Sequence, residues 1–179
     1  LDPATHTSSW NINCELQLRN CLVEIDHNFH PVPELVESWE SSPDAKKGII
    51  NLRKGVEFHD GKTLDSEDVI YTLQHHMGED SKSAAKPYLD PITSLKADGK
   101  YRFIAELESG NADFPFLMSD YHLAIFKAGT TGKEFEKGIG TGGYILEQWE
   151  PGVTMIARKN PNYWKKGRAH FDKVETLHI

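Results

Sequence analysis

The stretch from Val32 to Leu73, VPELVESWESSPDAKKGIINLRKGVEFHDGKTLDSEDVIYTL, limits most tightly what this chain can fold into. It alternates short β-type runs with turn residues and closes on a capped helix. Pro31 and Pro33 hold the lead-in extended, and Glu34 to Trp39 reads as a short helical turn or strand before the Ser41-Ser42-Pro43-Asp44 turn. Ile49 to Leu52 and Val56 to Phe58 are predicted to form a two-strand ribbon about Arg53-Lys54-Gly55, where the glycine supplies the positive φ of a tight connection. His59-Asp60-Gly61-Lys62 makes a second turn. Asp65 then caps a helix over Ser66 to Met77, with Val69, Ile70, Leu73 and Met77 as its buried stripe and Glu67 and Asp68 at the positive end of its dipole.

Around this stretch the pattern is mixed α and β. Leu1 to Ala4 is an extended or turn segment. A helix follows, with Ser9 or Asn11 as its cap, and passes into an extended piece at Leu22 to Ile25 and a turn at Asp26 to Asn28. Gly78 to Lys86 reads as loop and short helix, broken by Pro87 and Pro91. Ile92 to Ala97 and Tyr101 to Leu107 form a hairpin, Asn111 caps a brief helix through Met118, and His122 to Phe126 is a strand. From Lys127 to Gly143, seven of seventeen residues are glycine or alanine, which suits a linker or a crossing between lobes. Tyr144 to Glu150 and Val153 to Arg158 make another hairpin about Pro151-Gly152. Asn160 to Trp164 is an aromatic turn and Val174 to Ile179 a last strand, whose abrupt stop suggests a chain cut from a larger protein.

Charge and composition remove whole classes of function. With 20 basic against 27 acidic residues the chain carries −7, which argues against a nucleic-acid partner. The basic clusters Lys46-Lys47 and Lys165-Lys166-Gly167-Arg168 read as solvated loops. No apolar run approaches the roughly 20 residues that span a bilayer, and the first residues show no leader pattern, so no direct membrane insertion is expected. On a helix Cys14 and Cys21 would lie about 10 Å apart along the axis, too far for a disulfide, and they read as two buried thiols.

Motifs for chemistry are weak. Gly138-Ile-Gly-Thr-Gly-Gly143 is followed by β-type sequence instead of a helix, so it reads as a hinge or turn, not a phosphate loop. His75 and His76 are adjacent on a helix and point about 100° apart, which disfavours a shared metal; a surface or capping role is expected. His59-Asp60 reads as a turn determinant. No nucleophile motif or carboxylate pair stands out, so neither enzyme activity nor a cofactor nor a metal site is expected. Among the aromatics, Trp10, Tyr121 and Tyr144 lie beside the expected crossings, where a cleft would open, whereas Trp39, Trp149 and Trp164 read as structural.

Four ordered motifs in the opening stretch, Ser38-Trp39, Leu52-Arg53-Lys54-Gly55, Phe58-His59-Asp60-Gly61 and Glu67-Asp68-Val69, resemble those of the solute-binding proteins of ABC importers, peptide/nickel-binding family (family 5). Leu1-Asp2-Pro3, Gly140-Thr-Gly-Gly-Tyr144 and Arg158 to Trp164 extend the resemblance over nearly the whole chain. Two departures stand out: Gly143 occupies a usual proline position, and Leu64-Asp65-Ser66 replaces a commoner Thr-Ala.

The resemblance implies a periplasmic-binding-protein-like two-lobe fold of mixed α/β (α+β) class, with residues 12–136 as the small lobe and residues 1–11 and 137–179 as part of the main lobe. It implies an extracytoplasmic or periplasmic protein that binds a solute, foremost a di- or oligopeptide, and delivers it to an ABC permease. Ser9, Trp10, Tyr121, His122 and Tyr144 are the candidate ligand-binding residues, chosen by side-chain type and nearness to the crossings. A sensory ligand-binding module and, from another class, a hydrolase are the alternatives. The ligand itself stays open among peptides, nickel complexes, opine-like compounds and sugars.

Overall fold

Helix formation at Ser66–Met77 begins with one carboxylate. In the computed structural model, which describes residues 1–179, Asp65 Oδ1 accepts from the Glu67 and Asp68 amides at 3.1 and 3.3 Å. Asp68 Oδ2 accepts in return from the Asp65 amide at 3.0 Å, so two otherwise orphaned donors are satisfied reciprocally. Val69, Thr72, Leu73 and His76 face inward, with Ile70 and Met77 half-buried at the margin. This helix packs on a four-stranded antiparallel sheet whose strands are Val36–Ser41, Lys47–Leu52, Ile92–Ala97 and Arg102–Leu107. Numbering strands and helices along the chain, these are β3, β4, β5 and β6, in spatial order β3-β4-β6-β5, and the helix is α2. Together they bury a core of 21 residues, among them Leu35, Leu52, Val56, Leu73 and Phe103. Each fully buried Leu or Phe contributes roughly 1.5–3 kcal/mol relative to exposure.

The expected ribbon of Ile49–Leu52 with Val56–Phe58 does not form. β4 pairs with β3 on one side and β6 on the other, so neither of its edges is free for the residues that follow. Gly55, at φ 76°, turns the chain away. Val56 to Phe58 then folds onto what comes next: the Leu64 amide donates to Val56 O at 2.9 Å and the Phe58 amide to Lys62 O at 2.8 Å. Of the two readings for Glu34 to Trp39, helical turn or strand, the strand holds from Val36, where β3 begins.

Other expectations fail for local reasons. Pro87 sits in the first turn of a short helix, α3 (Lys86–Leu89), where a missing N–H costs nothing, so it does not break it. Asp113, not Asn111, occupies the cap position of α4 (Phe114–Leu117), while Asn111 Oδ1 accepts from the Asp113 amide. His122 to Phe126 is not a strand. It starts as a 3-10 turn, Tyr121–Leu123, and continues buried, tied by the Ile125 amide to Asn20 O and by the Phe126 amide to Thr72 Oγ1. An apolar run shows burial but not a ladder partner.

A second, smaller body is built from the two ends of the chain. Asp2 caps a 3-10 turn at Pro3–Thr5, and Ser8, not Ser9 or Asn11, caps α1 (Ser9–Leu18) by accepting from the Asn11 amide. α1 packs on an antiparallel sheet of β7 (Tyr144–Glu150), β8 (Thr154–Lys159) and β9 (Lys173–Leu177), around a core of Trp10, Cys14, Leu18, Met155 and Ala157. At the margin of the first body a small hairpin, β1 (Val23–Ile25) with β2 (Pro31–Pro33), turns through Phe29 at φ 64° and buries Val23 in the larger core. Both cysteines are free and buried. No helix is long and apolar enough to cross a membrane.

Candidate functional site

The two bodies meet where the chain crosses between them, and polar side chains concentrate there. The glycine-rich return runs directly against the end of α1: the Gly142 amide donates to Leu18 O at 2.9 Å, and a Cβ at Gly140 or Gly142 would collide with the Leu18 backbone. That close approach, not phosphate binding, is what the glycines are for.

On one side of this crossing Glu34 is almost wholly buried and fully partnered. It accepts from Lys165 Nζ at 2.6 Å, Asn20 Nδ2 at 2.8 Å and the Cys21 amide at 2.9 Å. Lys165 also reaches Glu24 at 2.8 Å. Asn20 Oδ1 accepts from Thr141 Oγ1 and Trp164 Nε1. Burial pushes the Glu34 carboxyl above its ordinary range against the pull of Lys165, whereas the two carboxylates hold the Lys165 ammonium up despite its own burial. Lys165 is therefore not part of a solvated loop, as its sequence surroundings suggest, but the ion that ties the return of the second body to the hairpin of the first. Asn20, Glu24, Glu34 and Lys165, with Leu16, Tyr144 and Tyr163, border a groove of about 650 Å3 that opens to solvent. Tyr144 accepts from the Phe171 amide at 3.3 Å.

Around the last turn of α1 a different set is buried. Arg19 is 1% exposed; it pairs with Glu15 and donates to Ile139 O and Leu1 O. His6 lies 3.9 Å from Glu15, and burial, then the neighbouring positive charges, push its pKa down to about 4. Above them the 3-10 turns Pro3–Thr5 and Tyr121–Leu123 pack together. His122 is buried, its Nδ1 2.7 Å from Asp120 Oδ1, and Tyr121 lies over its ring at 4.2 Å while remaining partly open to solvent.

The candidate residues from sequence thus fall in three places. Ser9 is exposed on the first turn of α1, and Tyr121 and His122 lie on the 3-10 turn that packs beside that end of the chain. Trp10 belongs to the second core, stacked on Trp149 at 5.0 Å, so Trp149 is structural as expected and Trp10 shares that role. Tyr144 borders the groove by Lys165 instead. His76, expected at the surface, is wholly buried, bonded to Ser83 Oγ at 2.6 Å, and burial lowers its pKa to about 4. His75 pairs with Asp2 at 3.0 Å. Sequence reasoning missed Asn20, Glu34 and Lys165, whose partners lie up to 144 residues away. The only local signal was Glu34 between apolar neighbours.

The chain is thus an α/β arrangement of two cores joined by crossing segments, with a polar groove at their junction. Residues 30–179 match the family described as bacterial extracellular solute-binding proteins, family 5 middle, and the chain belongs to that family. Among curated relatives, the uncharacterized protein YhjP of Bacillus subtilis is 33% identical over 163 residues, 89% of this chain and 26% of YhjP. The oligopeptide-binding protein AppA of the same species is 25% identical over 94% of this chain and 33% of its own length. The solved structure of the PBP AgaA of A. tumefaciens R10 in complex with agropinic acid superposes with a TM-score of 0.90 at 24% identity, over 98% of this chain and 36% of AgaA. The chain therefore spans about a quarter to a third of these relatives, and shares its fold with part of theirs.

Proposed function

We propose that this chain forms part of a two-lobe binding protein that takes up a di- or oligopeptide outside the cytoplasm and hands it to an ABC permease. Family membership supports the class, and relatives named as peptide- or oligopeptide-binding proteins favour the ligand. The observation that carries the reading is the junction itself: two separately cored bodies joined by a crossing and bordered by open polar grooves, the form that lets a bound solute favour one relative orientation over another. We place the lobe boundary at Arg19–Cys21 instead of residue 12, because the buried apolar side chains of α1, Trp10, Cys14 and Leu18, belong to the second core, and keep the return near residue 137.

Within this reading Ser9, Tyr121 and His122 form one ligand-facing edge and Tyr144 a second. A peptide backbone would be met by hydroxyls and exposed main chain, with water filling the side-chain spaces, which tolerates varied sequences. The test is a thermal-shift screen of the full-length protein against di- to pentapeptides, nickel chelates, opine-like compounds and sugars. Peptides should raise Tm in proportion to RT ln(1 + [L]/Kd). Stabilisation by a sugar or chelate with none by any peptide would overturn the ligand assignment.

A further inference from the structure

His59 does far more than close the Phe58-His-Asp-Gly61 turn. Its backbone amide donates to Gly140 O at 2.9 Å, its Nδ1 accepts from the Gly140 amide at 3.3 Å, and its Nε2 lies 3.1 Å from Gly142 O. One residue of the first body thus grips both faces of the glycine return that leads into the second. Gly142 O also accepts from Asn160 Nδ2 of the second body at 3.0 Å, so a single carbonyl is held from both sides. These partners fix the tautomer: a nitrogen facing an amide N–H must offer its lone pair, and one facing a carbonyl must carry the proton.

The surroundings make this clamp a pivot. Open grooves lie on both sides of it. One is the groove bordered by Tyr144 and Lys165; the other, also about 650 Å3, lies between Glu57–Gly61 and a wall of Ile145, Arg158 and Asn160–Asn162. Tyr144 and Ile145 are consecutive in β7 and point to opposite faces, so each groove takes one face of the strand that leaves the return. The Glu34–Lys165 pair spans the first groove, so the second, beside His59, is where the bodies have room to shift.

We propose that His59 is a positioning residue that sets the angle between the two bodies by clamping Gly140 and Gly142, and so sets how Tyr144 is presented. The inference rests on the binding reading above for its consequence, not for its geometry. Protonation would put an N–H against the Gly140 N–H and open the clamp. Burial holds the imidazole below its ordinary pKa, the backbone hydrogen bonds to Gly142 and Gly138 act the other way, and Arg19 and Arg158 add repulsion. The adjacent Asp60 is engaged by Lys127. The clamp should therefore hold at neutral pH and weaken under acid.

The test uses the full-length protein carrying spin labels at Lys96→Cys and Gln148→Cys, exposed strand positions in the two bodies. Pulsed dipolar spectroscopy at about pH 8 and about pH 4.5, well below the ordinary imidazole range, would read the distance distribution of the wild type, His59→Ala and His59→Gln. The wild type should be narrow at the higher pH and roughly twofold broader at the lower; the alanine variant should be broad at both, and the glutamine variant, which can donate and accept without titrating, narrow at both. Circular dichroism confirms that each variant is folded. An alanine variant as narrow as wild type, or a glutamine variant that broadens with acid as wild type does, overturns the proposal. Calorimetry with trialanine on the same samples separates the two readings: a working clamp in a protein that binds no peptide leaves the pivot standing and removes the ligand assignment.

Discussion

The two bodies of this molecule differ in how they are held together. The first has a continuous core of 21 buried residues under a capped helix and a four-stranded sheet; the second has five buried residues, and half-buried Leu1, Leu146, Trp149 and Val174 close its rim. A core of the first kind resists truncation on every side, whereas in the second a lost side chain leaves a gap that rim residues can partly fill. The difference teaches that the first body fixes shape, while the second depends more on the ties across the junction.

The largest effect should come from removing the same side chain in each. Leu73 and Leu18 are both 0% exposed. Leu73→Ala should cost about 4–5 kcal/mol and Leu18→Ala about 2–3 kcal/mol in urea denaturation, because the smaller core collapses more readily. Equal costs would erase the contrast.

Next come the ties. Lys165→Met leaves the Glu34 carboxylate buried without its cation and should cost roughly 3 kcal/mol, most of it recovered by adding Glu34→Gln. No recovery in the double variant would mean the pair is not what joins the bodies there. Acid should act on both bodies by a similar amount. His6 and His76 bind a proton at about 4 in the folded chain against 6.5 when unfolded, so between those values protons favour the unfolded chain and stability falls as pH drops from about 6.5 to about 4. Each residue contributes roughly 3 kcal/mol, offset in part by Glu15 and Glu34, whose raised pKa values favour protonation in the folded state. Urea midpoints at several pH values check this, and His76→Gln should flatten the slope.

The smallest effects are local. Asp65→Ala removes the cap of α2 and should cost about 1–2 kcal/mol, read by thermal melting. Phe29→Gly should stabilise by about 1 kcal/mol, since Phe29 is 83% exposed and sits in backbone geometry that suits glycine.

What could be read from sequence follows the same division. The capped helix α2, the hairpins β5–β6 and β7–β8 and the buried thiols were legible because each is set by residues close in sequence: Asp65 by its own first turn, Ala97 to Lys100 by a turn between two apolar runs. The partners of β4 were not, because its neighbours β3 and β6 are chosen by the sheet as a whole. His59 looked like a turn residue since its clamp partners lie more than eighty residues away. Lys165 looked solvated because nothing near it in sequence is acidic, and its two carboxylates come from β1 and the segment after β2. Tyr121 and His122 were singled out by residue type and nearness to a crossing, and the structure places them on one turn; Trp10, chosen the same way, packs inward.

The central claim is that binding belongs to the cleft between lobes and needs the protein of which this chain is a part. Isothermal calorimetry with trialanine on the full-length protein and on residues 1–179 alone tests it most directly. The account predicts measurable binding to the full-length protein and affinity at least roughly a hundredfold weaker for the shorter chain. Equal affinity for the two would contradict it.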